Sequence, residues 1–223
     1  MDLSMYLLIG IVVVVVVFDR ISARQRRGVM ASVAAGLGLS FDPTKNRQIA
    51  RRYSFLEKLR KGSAYNIMSK GYAYNIISGS FRAYEVTVFD YHYETGEGRE
   101  YGLDDFSLFI LHLPAVFPEL VIGPEGIFSK IAQAVGYDDI DFESHEFSHK
   151  FFVRSGDKKF AYDVCNARMI EYLLANRDFS IEIEDDVLAI WFNRRLAPES
   201  IEPNLNRLIT VRSLMPDYLF PGR

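Results

Sequence analysis

Residues 144–149 read Ser-His-Glu-Phe-Ser-His, so His145, Glu146 and His149 satisfy the His-Glu-x-x-His pattern of zinc peptidases. On a helix, positions four apart lie about 6 Å from one another, and two imidazoles can share a zinc ion at about 2.0–2.1 Å with the glutamate as general base. On a strand the same pair stands about 13 Å apart, and one ion cannot bridge it. The choice rests on period. Phe147, His149, Phe151 and Val153 share one parity while Ser148, Lys150 and Arg154 share the other, which predicts a strand. Charged Glu143 and Lys150 flank the motif, and only Asp163 and Glu171 offer themselves as a third ligand. His145 and His149 are therefore kept as a metal pair only in an alternative reading, a membrane-anchored zinc hydrolase.

The remaining chemistry-bearing residues form no constellation. Cys165 is the single cysteine, which excludes an intramolecular disulfide framework; as a nucleophile it would need a histidine beside it, and a small buried thiol is expected instead. Asp138, Asp139, Asp141 and Glu143 lack the spacing and glycine of an EF-hand, and read as a solvated acidic loop. The chain has neither a GxxxxGK[ST] nor a GxGxxG loop to cradle phosphates. His92, between Tyr91 and Tyr93, and His112, within an apolar run, read as structural. No catalytic residue and no cofactor is expected.

The elements that would carry these residues divide the 223-residue chain by charge. Leu3 to Phe18 reads LSMYLLIGIVVVVVVF, with only Ser4 and Tyr6 as polar intrusions. As a helix it spans about 24 Å, short of the roughly 30 Å hydrocarbon core by a length that Arg20 makes up by snorkelling. A cleaved secretory signal requires positive charge before the apolar run, and here the order is reversed: Asp2 precedes it, and Arg20, Arg24, Arg26 and Arg27 follow. Residues 1–19 thus predict a transmembrane helix in the cell (inner) membrane, with everything after Arg20 cytoplasmic by the positive-inside rule.

From Arg20 to Lys61 there are 11 Lys/Arg against Asp42 and Glu57. This segment, 20–61, predicts a basic helical neck, interrupted at Gly38 and Asp42-Pro43, in which Ile49, Tyr53, Leu56 and Leu59 form one apolar stripe. Arg20, Arg24, Arg26, Arg27, Arg47, Arg51 and Arg52 are its candidate lipid-headgroup contacts, each worth about 1 kcal/mol near an anionic surface; a solvated face on a helix packed against the body is the competing reading. Nothing after Lys61 extends the basic surface, so nucleic acid is not an expected partner.

From Gly62 onward, 15 Lys/Arg face 25 Asp/Glu. Tyr-Asn-Ile occurs at 65–67 and 74–76, as in adjacent strands; Ser78-Gly79-Ser80 predicts a turn before a strand at Tyr84–Val88. FSLFILHL (106–113) predicts a strand, Pro114 and Pro118 a turn, PELVIGPEG a short strand, and Ile127–Val135 a short helix. Asp157 and Asn166 are helix caps, residues 179–193 predict a hairpin turning at Asp185-Asp186, and Glu199–Leu214 a final helix. Residues 62–223 therefore predict a soluble α+β domain with an antiparallel sheet and flanking helices.

The runs FPELVIGPEG, DIDFESHEFS and FFVRSGDKKFAYDV resemble a family of bacterial proteins that couple an N-terminal membrane helix to a soluble domain of unassigned activity. The matching positions are Phe117-Pro118, Pro124-Glu125, Asp141-Phe142, His145, Glu146-Phe147-Ser148 and Asp157. The resemblance implies membrane association in a bacterium and no activity. With the sequence features it points to a single-pass, non-catalytic binding or scaffold domain whose partners are the lipid bilayer and a membrane or cytoplasmic protein.

Overall fold

A computed structural model describes residues 3–60, 71–95, 102–125 and 140–220; the side chains of residues 3–19, 57, 60, 94, 95 and 102–104 lie outside that description. The chain begins with α1 (Leu3–Gly36). Its end is closed by Gly38 at φ +72°, where the Leu39 N–H donates to the Ala34 carbonyl (2.8 Å) and the Gly38 N–H to that of Ala35 (3.1 Å). Then come β1 (Ser40–Asp42), α2 (Arg47–Arg52), α3 (Glu57–Arg60), β2 (Tyr72–Phe81), β3 (Tyr84–Thr95), β4 (Gly102–Pro124), α4 (His145–Lys150), β5 (Phe151–Ser155), α5 (Lys158–Val164), α6 (Ala167–Ala175), β6 (Ser180–Trp191) and α7 (Ile201–Leu214). All pairings are antiparallel, in the order β1-β2-β3-β4-β5 with β6 on β4, so the domain is α+β with an antiparallel sheet and flanking helices.

Two expected reversals are bends instead. β4 runs unbroken through Pro114 and Pro118, and β6 runs through Asp185-Asp186 rather than folding into a hairpin. The two sites are opposite each other: Phe117 pairs with Asp185, and the β4–β6 register shifts on both sides of that pair. Proline has no N–H for the ladder, so it is tolerated where the ladder is already irregular. Asp185 takes the left-handed φ of +52°, which turns β6 without reversing it. The beginning of β4 therefore pairs with β3 and the end of β6, while its final turn of ladder, Leu120–Pro124, pairs with β5.

Both faces of this sheet are covered. On one, Val86, Val88, Phe109, Leu111, Leu188 and Ile190 meet Met30 and Ala34 of α1 and residues of α4 to α7. On the other, Phe89, Leu108, Ile110, Ala189 and Trp191 meet Ala50 of α2, then Tyr53, Leu56 and Leu59. The expected stripe is thus largely buried but not on one helix: Ile49 on α2 is half-buried, Tyr53 and Leu56 are buried in the turn that follows α2, and Leu59 is buried on α3. Within the 20–61 segment, residues 30–59 contribute a strand to the sheet and side chains to both cores.

Other local readings divide. Asp157 accepts from the Phe160 N–H (3.0 Å) and Asn166 from those of Arg168 and Met169, capping α5 and α6 as expected. The β2–β3 turn is at Arg82-Ala83, both at positive φ, and Ser78-Gly79-Ser80 belongs to β2. The strand expected across His145–Val153 is corrected: Ser144 accepts from the Phe147 N–H (3.3 Å) and starts α4, and only Phe151–Ser155 is extended. Phe147 and Phe151 lie four apart as well as in step with a strand, and their stacked rings 5.2 Å apart serve a helix that hands over to β5. The first Tyr-Asn-Ile copy and the helix expected at Ile127–Val135 lie outside the described residues. Among the described residues no helix is long and apolar enough to cross a membrane; the side chains of the expected span are not among them.

Asp185→Gly should leave thermal stability unchanged or raise it slightly, whereas Asp185→Val should cost about 1–2 kcal/mol, since a β-branched side chain resists the left-handed region. For a chain of this size that is a fall in Tm of about 2–8 °C by differential scanning calorimetry.

Candidate functional site

In β3, Val86 and Val88 point into the larger core, and the same parity then delivers Asp90 and His92. Asp90 pairs with Tyr74 of β2 and Ser107 of β4, at the middle of the sheet and beneath α1. Its side chain is 2% exposed, and a carboxylate there is tolerable only if its oxygens are saturated with donors. They are. Arg26 of α1 approaches as a fork, with Nε at 3.2 Å and Nη2 at 2.9 and 3.1 Å. Asn75 Nδ2 donates at 3.0 Å and Ser107 Oγ at 2.8 Å; Ser107 Oγ in turn accepts the Leu196 N–H.

Beside this ion pair lies a cavity of about 440 Å³, bounded by α1 at Ala23 to Arg27, by the β1–α2 connection at Pro43 to Lys45, and by Tyr72, Tyr74, Asn75, His92, Asp105 and Arg195. Asp105 Oδ1 accepts from the Tyr74 hydroxyl (3.1 Å) and lies 3.0 Å from His92 Nδ1, while Arg195 donates to the Tyr74 oxygen (3.3 Å). Burial and the neighbouring Asp90 charge push the Tyr74 phenol up, so it remains a donor. The Tyr72 ring packs against His92 with centroids 5.0 Å apart and carries Lys45 at 4.2 Å from its centroid. β2 is bulged here: its register against β3 shifts between Tyr74 and Ile77, and Asn75 takes φ +50°.

Of the residues expected at lipid headgroups, Arg20, Arg24, Arg27, Arg47, Arg51 and Arg52 are exposed. Arg26 is the exception. It turns inward to Asp90 and is a structural tie between helix and sheet. His145, Glu146 and His149 are exposed on the six-residue α4, and Glu146 is bound by Lys150 and by Arg177 at 3.5 Å, which hold its carboxyl below the usual range. Asp163 is engaged by Lys159 (2.6 Å) and Tyr218 (2.8 Å). Among the described residues, the one group of three side chains close enough to share an ion is Glu119, Glu182 and Glu184, which includes neither histidine. Cys165 is buried, and burial pushes its thiol well up. His112 links Tyr53 (3.1 Å) to Asp186 (3.2 Å); the Tyr53 ring is buried and stacked on Phe89, so this relay clamps the end of α2 to the sheet.

The cavity has a sequence signature that residue-type motifs do not show. Val86-x-Val88-x-Asp90-x-His92 and Asp105-x-Ser107-x-Phe109-x-Leu111 each change from apolar to polar at one end without losing alternation, which marks the end of a face that must meet polar groups from elsewhere. Asp90→Ala leaves the Arg26 guanidinium without its carboxylate and should cost about 3–5 kcal/mol in equilibrium unfolding. Arg26→Met combined with Asp90→Leu should recover part of that loss, because an apolar pair restores packing without a stranded charge.

No protein-family model matches the chain, and no curated protein matches it. Among solved structures, it is similar to the crystal structure of the mycobacterial trehalose monomycolate transport factor A, TtfA, at 13% identity and a TM-score of 0.58, over 87% of this chain and 96% of that one. At that identity the likeness is one of fold.

Proposed function

We propose that the protein is a single-pass, membrane-anchored and non-catalytic binding domain, held at the cytoplasmic face of the cell membrane, where it engages the bilayer and a membrane or cytoplasmic protein. The observation that supports this reading is the continuity of α1. The helix that carries LLIGIVVVVVVF at its start packs Met30 and Ala34 into the domain core and is tied to the sheet by Arg26–Asp90. A helix built this way holds its domain at a fixed height and angle instead of trailing it on a linker. Exposed Arg20, Arg24 and Arg27 fall where the apolar run ends, as headgroup contacts should. TtfA is called a trehalose monomycolate transport factor; by analogy of fold, the present domain serves as an accessory factor at the membrane.

The zinc-hydrolase alternative gains from the helical setting of His145 and His149, which brings positions four apart within reach of one ion. It loses more, because Glu146, the base it needs, is occupied by two cations. Metal analysis separates the two: stoichiometric zinc abolished by His149→Ala favours the hydrolase.

For the anchored reading, the full chain expressed in a bacterium should sediment with membranes, resist alkaline extraction, and be spared by protease added outside intact spheroplasts. Recovery in the soluble fraction, or digestion of the folded domain from outside, would refute it.

A further inference from the structure

The cavity beneath α1 is cationic in a domain that is otherwise acidic. Arg26 is neutralised by Asp90, but Arg27, Lys45 and Arg195 border the same space, and among the described residues none has a carboxylate within ion-pair distance. Arg27 donates only to the carbonyl of Ala23, Lys45 rests on the Tyr72 ring, and Arg195 bonds the Tyr74 hydroxyl. Against them, among the described residues, stands a single carboxylate on the wall, Asp105. Arg195 also feels the Asp90 and Asp105 charges, but three cations against one wall carboxylate still leave the concave space suited to an anion.

A second feature specifies more than charge. Asn75 is 3% exposed and lines the cavity, and its Oδ1 accepts no hydrogen bond. Its amide cannot be reversed, since Nδ2 donates to Asp90 and an oxygen there would face a carboxylate. The residue is also held in the left-handed region by the β2 bulge, and strain of this kind concentrates at ligand sites. A buried acceptor without a donor, on a residue that lines the same cavity as Asp105, Tyr72 and His92, suits a hydroxylated ligand.

We propose that this cavity binds the phosphate-bearing polyol headgroup of a lipid, its phosphate on Arg27, Lys45 and Arg195 and its hydroxyls toward Asn75 and Asp105. The chemistry stands on the cavity alone; the lipid as its source rests on the anchored reading above. Arg27 lies about 10 Å along α1 from Arg20, so a bulky headgroup reaches the cavity from the surface where Arg20 sits.

The test uses the full chain, with glycerophosphoinositol and inorganic phosphate titrated in detergent, and with nanodiscs of phosphatidylcholine alone or with one-fifth phosphatidylinositol or phosphatidylethanolamine. Glycerophosphoinositol should bind saturably and at least tenfold tighter than phosphate, and phosphatidylinositol should be retained in preference to phosphatidylethanolamine. Arg27→Ala with Lys45→Ala should weaken binding tenfold or more. Lys158→Ala with Arg168→Ala, which removes the same charge from exposed positions elsewhere, should not. Asn75→Ala should weaken glycerophosphoinositol but leave phosphate unchanged. No saturable binding, equal loss in the two double variants, phosphate binding as tightly as glycerophosphoinositol, or equal retention of phosphatidylethanolamine would each overturn the proposal. A chain that inserts but binds no headgroup overturns this inference and leaves the anchor standing. One that binds glycerophosphoinositol but does not insert upholds the cavity chemistry and overturns the lipid source.

Discussion

A carboxylate removed from water costs several kcal/mol unless every oxygen finds a donor, and the arrangement around Asp90 follows from that demand. Arg26 comes from α1, Asn75 from β2, Ser107 from β4, and through Ser107 the chain after β6 is held at Leu196. One buried charge therefore fixes four parts of the chain relative to one another. Replacing it with apolar residues could give equal stability, so its value lies in specificity: an aspartate accepts one helix azimuth and one register, where leucine accepts several.

The second constraint is geometric. β4 and β6 bend together where Pro114, Pro118 and Asp185 interrupt the ladder, which lets one strand serve two regions of sheet with β3 and β5 on the same edge. Both faces are then available to helices. α1 and α4 to α7 take one, α2 and α3 the other, and the β1–α2 connection returns to the place where α1 meets the sheet. Lys45 thereby joins Arg27 and Arg195, which are remote in sequence, around one cavity.

Much of this was legible in the sequence where the signal is local. The α+β class, the caps at Asp157 and Asn166, the closing helix and the buried Tyr53-Leu56-Leu59 stripe all follow from spacing and side-chain chemistry. The failures share a cause. Proline and paired aspartates read as reversals because their local preferences are those of turns, and only the partner strand shows that they are bends. His145–Val153 read as a strand because aromatic residues at 147 and 151 fit both periods, and the Ser144 cap decided for the helix. Arg26 read as one basic residue among seven, since nothing local distinguishes it from Arg24 or Arg27; its partner is 64 residues away. The grouping of the cavity residues escapes a local reading for the same reason; His92, read as structural, does bond Asp105 and pack on Tyr72, and it stands on the cavity wall.

The central claim is that α1 is fastened to the sheet and does not swing. Pulsed electron paramagnetic resonance on the full chain in nanodiscs measures this directly, with spin labels at Arg24→Cys and Glu85→Cys, both exposed positions, in a Cys165→Ala background. A single narrow distance distribution that broadens when Asp90 is replaced by alanine is the predicted result. A broad or multimodal distribution with Asp90 intact would contradict it.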